Sequence, residues 1–222
     1  MLINADFSRR AIVASHQYQW VASPHGGVER VMLDRVGTEK ARATSIVRYA
    51  PDSYFPRHPH PGGEEILVLA GTFSEGDEHY LTGWYLRNPP GSSHQPSSAE
   101  GAVIFVKLQQ MQAGEQHHVR INTCDPAAWR QQGRREVCAL FSDKTEQVCL
   151  QRLAPREALF DEPVDGAELL VLAGNIFLDE QAYERGSWLR MPAGEFSNLH
   201  AGDQGATVYL KTGHLVDVAV EA

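Results

Sequence analysis

The apolar positions of this chain fall into short runs that are rich in Ile, Val, Leu and aromatic side chains. In the first half, these runs are TSIVRYA (44–50), EILVLAGTF (65–73), WYLRN (84–88) and AVIFVKL (102–108). Clusters of Gly and Pro separate the runs, a pattern that is typical of closely spaced β-strands. A helical period appears only weakly around 124–132, where Asp125 and Pro126 predict the start of a short helix.

The second half of the chain repeats the first half. Four blocks recur in the same order, at an offset of 103 or 104 residues. The pairs are EILVLAGTF (65–73) with ELLVLAGNI (168–176), GWYLRNPPG (83–91) with GSWLRMPAG (186–194), GAVIFVKL (101–108) with GATVYLKT (205–212), and VRYAP (47–51) with LQRLAP (150–155). This repetition predicts an internal duplication, with one small β-barrel or sandwich in 1–112, a second in 113–222, and a polar connector near 112–130.

The composition excludes several classes of function. The chain has 222 residues and a net charge of −8, so it has no basic excess for binding nucleic acid. No apolar run approaches ~18 residues and the N-terminus is polar, so we expect a cytoplasmic protein without a membrane span or signal peptide. The three cysteines, Cys124, Cys138 and Cys149, fit no zinc spacing and are expected to be reduced.

The histidines of the first half carry the candidate chemistry. His58 and His60 are two residues apart, so both imidazoles point to the same face of a strand. Glu64 follows after a Pro-Gly-Gly turn, and the Gly and Pro residues of 83–91 predict a tight turn that brings His94 back to the same place. Three imidazoles and one carboxylate suit Zn, Fe, Mn, Ni or Cu. We therefore predict a divalent metal site in the first unit.

The motifs H-x-H-x3-E-x6-G (58–71) and G-x5-P-x-G-x2-H (83–94) resemble the two metal motifs of the cupin superfamily. The stretch 28–108 is similar, more narrowly, to the cupin domain of ChrR-type anti-sigma factors and to related small dioxygenase cupins. This resemblance implies an all-β bicupin of two tandem double-stranded β-helix (jelly-roll) barrels. The metal ligands that it implies are His58, His60, Glu64 and His94. We expect zinc in the purified protein, with iron, nickel and manganese as alternatives.

Two departures from the family pattern bear on function. ChrR-type anti-sigma factors carry a helical zinc domain that binds the sigma factor, but no H-x3-C-x2-C motif occurs in this sequence. Binding of a sigma factor by that means is therefore not expected. In the second half, the positions equivalent to the four ligands are Asp161, Pro163, Ala167 and Ser197. We therefore expect a degenerate cupin domain without metal ligands in 113–222.

The remaining histidines have a simpler interpretation. His117 and His118 form a pair in the connector, and we expect neither a turn framework nor a carboxylate partner for them. Both are expected to be solvated. Five further histidines are isolated in the sequence and are expected at the surface: His16, His25, His79, His200 and His214.

Some charged residues are alternatives to these assignments. Glu65 could replace Glu64 as a ligand, but on a strand it points to the opposite face. Three basic residues that could bind a substrate have counterparts in the second unit, which lacks the ligands, so we expect them to be structural. They are Arg48, Arg87 and Lys107, with counterparts Arg152, Arg190 and Lys211.

Two main functions remain open for such a site. The first is a metal-binding sensor or regulatory protein, which the similarity to ChrR-type cupins favours. The alternative is an Fe(II)-dependent dioxygenase that cleaves a small β-dicarbonyl or aromatic ketone, for which the ligand set leaves open coordination positions. A storage or purely structural role is disfavoured, because the second unit is expected to fold without ligands. The expected partners are a small molecule and a second copy of the chain, and no catalytic residue is assigned.

Overall fold

The computed structural model describes residues 1–24, 26–38, 41–193 and 198–215. These residues form 21 β-strands and two short 3₁₀ turns, at Ser15–Gln17 and Pro126–Ala128, and they contain no α-helix. The predicted all-β class is therefore confirmed. No helix in the described part of the chain is long and apolar enough to cross a membrane.

The helix predicted around 124–132 is wrong beyond its first turn. Asp125 accepts a hydrogen bond from the Ala127 backbone N–H at 2.8 Å, and Pro126 occupies the first position of a 3₁₀ turn. The turn does not continue, because the next residues, Trp129–Gln132, form a strand that pairs with Arg135–Ser142. A single turn has little stability of its own, so the strand pairing decides the structure.

The strands are numbered in chain order. The first fourteen are β1 (Leu2–Ile3), β2 (Ala11–Val13), β3 (Val21–Ala22), β4 (Val28–Val36), β5 (Arg42–Tyr49), β6 (Ser53–Tyr54), β7 (His58–His60), β8 (Glu64–Glu75), β9 (Glu78–Leu81), β10 (Trp84–Asn88), β11 (Ser92–His94), β12 (Pro96–Ser98), β13 (Ala102–Leu108) and β14 (Val119–Asn122). The other seven are β15 (Trp129–Gln132), β16 (Arg135–Ser142), β17 (Gln147–Leu153), β18 (Asp165–Leu178), β19 (Gln181–Glu184), β20 (Trp188–Ala193) and β21 (Leu199–Thr212).

The chain divides into two compact units. The first unit contains Met1–Ala5 and Gln19–Cys124, and the second contains Asp6–Tyr18 and Asp125–Ala222. The predicted ranges, 1–112 and 113–222, place two segments differently. The first segment carries β2, which pairs with β20 of the second unit, and the other carries β14, which pairs with β10 of the first unit.

The main sheet of the first unit has the order β1-β4-β5-β13-β8-β10-β14. Each neighbouring pair is antiparallel. Alternate residues of these strands, such as Ile66, Val68, Leu86 and Ile104, form the apolar core. Glu64 lies two residues before Ile66 on β8, so its side chain enters the same interior. The short strands β7 and β11 pair in a separate two-stranded ladder.

Strand β8 bends sharply at Gly71. This residue has φ +70°, and a Cβ atom there would lie 2.0 Å from the carbonyl oxygen of Gly101, so only glycine fits. Before the bend, β8 pairs with β10 and β13. After the bend, it pairs with β9 and β12. The bend places Glu75, the last residue of β8, opposite Pro96 and therefore close to the end of β11.

The main sheet of the second unit has the order β15-β16-β17-β21-β18-β20-β2. Strand β18 bends at Gly174, which has φ +67° and faces the carbonyl oxygen of Gly205 as Gly71 faces Gly101. The interior of the second unit is an apolar cluster that includes Leu169. Strands β16, β17, β21, β18 and β20 thus take the places of β4, β5, β13, β8 and β10, which precede them by about a hundred residues, and β2 takes the place of β14.

Candidate metal centre

Four side chains converge inside the first unit. Strands β7 and β11 are antiparallel with His58 opposite His94, and the alternation along β7 places His60 on the same face as His58. The centroids of the three imidazole rings are 4.6 to 5.0 Å apart. Glu64 adds a carboxylate, and the candidate ligand atoms of all four residues lie within 4.8 Å of one another. The structure therefore brings together the residues that the spacing selected.

The cluster has the properties of a metal site. The Nε2 atoms of His60 and His94 are buried and have no hydrogen-bond partner among the described residues. Each of these nitrogens lies 3.4 Å from the Oε2 atom of Glu64. That separation is about the edge of a tetrahedron whose corners lie about 2.1 Å from its centre, the usual bond length to zinc. The donor atoms thus fit a divalent cation.

Hydrogen bonds behind two of the imidazoles fix their orientation. The Nδ1 atom of His58 lies 2.7 Å from the carbonyl oxygen of Pro56, and the Nδ1 atom of His94 contacts the carboxylate of Glu75. An Nδ1–H group that donates to an oxygen leaves the Nε2 lone pair available for an ion. Both rings therefore present Nε2 towards the centre of the cluster.

A polar network extends from the cluster to the connector strand β14. Asn88 donates to Glu64 at 3.2 Å and to Glu75 at 3.1 Å. Arg120 donates to the Oε2 atom of Glu75 at 3.0 Å, to the side-chain oxygen of Asn88 at 2.7 Å, and to the Tyr80 hydroxyl at 2.9 Å. Burial opposes the ionisation of Glu75, but its bond with His94 and the charge of Arg120 lower its pKa.

Burial dominates the electrostatics of the ligand residues. It raises the pKa of Glu64 to about 7, against the opposing effect of the His94 charge. Burial, with the charges of His94 and His58, lowers the pKa of His60 to about 3, so its imidazole is neutral at pH 7. Burial also acts to lower the pKa of His94, but the carboxylates of Glu64 and Glu75 outweigh it and raise this pKa. Protons therefore compete with a cation for Glu64 and His94.

Two aromatic rings and a cavity lie beside the cluster. The ring of Phe55 lies 5.0 Å from that of His58, and the ring of Phe73 lies 6.2 Å from that of His94, measured between centroids. A cavity of about 340 Å³ is lined by His58 and His60 and also by Leu108. Two of the four candidate ligands therefore border a cavity of a size that suits a small molecule.

Sequence reasoning missed Glu75, Asn88 and Arg120. Glu75 lies in a turn-rich acidic stretch and Arg120 in the connector, where charged residues are ordinarily solvated. No motif spacing marks either residue. The repeat itself offers a signal that could have found two of them. The positions equivalent to Glu75 and Asn88 in the second half, which lacks the ligands, are the apolar residues Leu178 and Met191.

Glu65 and the buried basic residues lie away from the cluster. Arg87 is 1% exposed and donates to Glu65 at 3.2 Å, on the opposite face of β8 from Glu64. Lys107 is also buried and donates to Thr44 at 3.0 Å. These contacts are structural, as expected from the repeat. Arg48 instead forms an exposed pair with Glu29.

Two expectations about other histidines require correction. His214 is not at the surface: its side chain is 2% exposed, and Nε2 lies 3.1 Å from the Oε2 atom of Glu168. Glu168 lies on the face of β18 opposite the apolar core, and its buried carboxylate attracts the imidazole through a contact that the sequence alone does not reveal. His117 is 79% exposed, as expected, but its Nδ1 atom contacts a carboxylate, that of Glu115. His25 lies outside the described residues.

The second unit offers no comparable cluster among its described residues. Ala167, the counterpart of Glu64, is fully buried in the apolar core. Asp161 and Pro163 are exposed. Ser197, the counterpart of His94, lies outside the described residues. The equivalent interior is thus filled by hydrocarbon where the first unit has ligand atoms.

The substitution Asp161→Ala is expected to leave the metal content of the protein unchanged. Asp161 is the only carboxylate among the four positions equivalent to the candidate ligands, but it is exposed to solvent. The other two described positions, Pro163 and Ala167, have no side-chain atom that binds a metal. Elemental analysis of the purified variant and wild type, side by side, provides the measurement. Loss of metal from the variant would show that the second unit also contributes ligands.

Comparison with solved structures identifies proteins that share this fold. The structure superimposes on that of a putative dioxygenase from Nostoc punctiforme with a TM-score of 0.69 and 15% identity, over 99% of this chain and 85% of that chain. Bacterial pirin YhhW from Escherichia coli, solved in complex with nickel(II), gives a TM-score of 0.68 and 14% identity, over 92% and 98% of the two chains. A Cupin 2 conserved barrel domain protein from Leptotrichia buccalis gives 0.60 and 12%, over 87% and 92%.

The chain therefore has the fold of the cupin superfamily, as its motifs predicted. Residues 8–112, which include all four candidate ligands, match the family model of the ChrR Cupin-like domain. No curated protein matches the sequence. The solved structures share the fold at low identity, so the chemistry of the site has to be argued from the residues themselves.

Proposed function

We propose that the first unit binds one divalent metal ion through His58, His60, Glu64 and His94, and that the protein is a metal-dependent sensor or regulatory protein. The observation that supports this best is the pair of buried Nε2 atoms, of His60 and His94, which face the Glu64 carboxylate without a hydrogen-bond partner. Burying such groups without a cation costs free energy, so a ligand that they share accounts for their placement. When bound, the ion would supply Lewis acidity and positions for a small molecule.

We further propose that the chain is a bicupin that arose by internal duplication and that the second unit is a metal-free scaffold. The common strand order of the two sheets and the bends at Gly71 and Gly174 support the duplication. The apolar core at Ala167 supports the loss of the metal. A cytoplasmic location remains an expectation from the reduced cysteines.

Elemental analysis of protein purified without added metal tests the proposed metal site. We expect about one equivalent of divalent metal per chain, with zinc as the main species. Metal-free protein should also be stabilised against heat by added Zn²⁺, because an ion that binds only the folded state shifts the unfolding equilibrium. Protein that contains no metal and gains no thermal stability from Zn²⁺, Ni²⁺, Mn²⁺ or Fe²⁺ would contradict the proposal.

The second candidate function is an Fe(II)-dependent dioxygenase acting on a small β-dicarbonyl or aromatic ketone. The cavity of about 340 Å³ beside His58 and His60 favours it, because it has room for a compact molecule next to two of the candidate ligands. Likeness to the putative dioxygenase from Nostoc punctiforme is consistent with this candidate. Oxygen consumption by the Fe(II)-loaded protein with acetylacetone and related ketones would support it. No turnover, with saturable binding of the same compounds, would favour the sensor.

A further inference from the structure

Four members of the polar network behind His94 have apolar counterparts in the second unit. Strand registers define the equivalent positions. Glu64 pairs with Asn88 across β8 and β10, and Ala167 pairs with Met191 across β18 and β20. The equivalent pairs are Glu64 and Ala167, Asn88 and Met191, Glu75 and Leu178, and Arg120 and Ile12.

The place of Arg120 is the most informative of these equivalences. On β14, Arg120 lies opposite Leu86, and on β2, Ile12 lies opposite Leu189. Leu86 and Leu189 are themselves equivalent in the repeat. Ile12 packs against the apolar cluster of the second unit, where Arg120 instead donates its hydrogen bonds to Glu75 and Asn88. The same point of the fold thus accepts either a hydrocarbon or a guanidinium group.

The fold does not require this network. Removing a carboxylate and a guanidinium from water costs free energy, and replacing such a pair with apolar residues of similar volume is often neutral or stabilising. The second unit contains that replacement. In contrast, the buried charges on the other face of the sheet, Glu65 and Arg87, persist as Glu168 and Arg190 in the second unit. The network therefore occurs in the unit that has the candidate ligands and is replaced in the other. The buried charges of the opposite face occur in both units, so they belong to the fold.

We propose that Glu75 and Arg120 are positioning residues for the metal centre. Glu75 accepts the Nδ1–H of His94 and so turns the Nε2 atom of this ring towards the ion. Arg120 holds the second oxygen of Glu75, and Asn88 links Glu75 to the ligand Glu64. The inference rests on the proposed metal binding. It assigns part of the connector to the site, because Arg120 lies on β14.

The test is the triple variant E75L/N88M/R120I, in which three residues of the network are replaced by the residues found at the equivalent positions of the second unit. We expect a folded β-rich protein with all four ligands in place, and an affinity for Zn²⁺ that is about 10- to 100-fold below that of wild type. Competition with a chelator of known affinity measures the dissociation constant. The single variant E75Q, whose amide oxygen still accepts from His94, should lose less affinity than E75L.

A matched control comes from the second unit. Arg135 donates to Glu157 at 2.8 Å and to the carbonyl oxygens of Ala158 and Leu159, so it also joins a strand to a neighbouring loop. R135M should lower thermal stability and leave the affinity for Zn²⁺ unchanged. An equal loss of affinity in R135M and in the triple variant would assign the effect to general destabilisation and overturn the positioning role.

Nuclear magnetic resonance of the zinc-loaded proteins gives a readout that a purely structural role would not change. Wild type should show a slowly exchanging, downfield Nδ1 proton for His94, and E75L at saturating Zn²⁺ should lose it. If wild type binds Zn²⁺ and the triple variant binds it equally well, the positioning role is wrong and the metal site stands. If wild type binds no metal, both proposals are wrong.

Discussion

Replacing His60 with alanine is expected to abolish stoichiometric metal binding while leaving a folded chain. The His60 side chain is 3% exposed, and its Nε2 atom lies 3.4 Å from the Glu64 carboxylate. Its imidazole is neutral near pH 7, so the variant loses a ready donor at the centre of the cluster. Loss of residues outside the ligand set typically costs 10- to 100-fold in affinity, and loss of a ligand should cost more than about 100-fold.

The measurement for H60A is elemental analysis after dialysis, combined with circular dichroism to establish that the β-structure persists. H79A is the matched control, because His79 belongs to the same unit but is exposed and bonds to Ser74 outside the cluster. H79A should retain the wild-type metal content. Full occupancy in H60A would show that the ion binds elsewhere and would overturn the ligand assignment.

The substitution Arg87→Met is expected to have the largest effect on stability. Arg87 and Glu65 are almost fully buried and form an ion pair at 3.2 Å. The substitution leaves the Glu65 carboxylate buried without this counter-charge, and breaking a buried pair in this way costs about 3–5 kcal/mol. A lower urea midpoint in circular dichroism measures the loss.

The control for R87M is R48M, which removes an arginine from the same sheet. Arg48 and Glu29 form an ion pair whose side chains are 46% and 42% exposed, so water screens their interaction. Such a pair contributes about 0–1 kcal/mol. Similar urea midpoints for R87M and R48M would mean that the buried pair is not a main determinant of the first unit's stability.

The sequence was sufficient to predict the fold class and the cluster of four candidate ligands, for physical reasons. Strand alternation puts His58 and His60 on one face, and glycine and proline leave few paths for the turn that returns His94. These are local constraints, which act over a few residues and leave a visible spacing. The outward direction of Glu65 follows from the same alternation.

The parts that could not be predicted depend on contacts between distant segments. Glu75 reaches His94 only because β8 bends at Gly71. The only trace of this bend in the sequence is one glycine, and the chain has 19 glycines. Arg120 reaches Glu75 only because β14 joins the first sheet. Its sequence context is that of a solvated connector. Burial of His214, which follows β21, likewise depends on Glu168, which lies on β18.

The placement of β2 and β14 has a consequence for folding during synthesis. The last strand of the first sheet, β14, follows its other strands in the chain, so that sheet and its histidine cluster can close soon after Cys124 has left the ribosome. In contrast, β2 precedes almost all of the first unit in the chain, yet its partner β20 follows that unit. Residues 6–18 must therefore wait until β20 has been synthesised, which makes this long-range pairing a late and slow step.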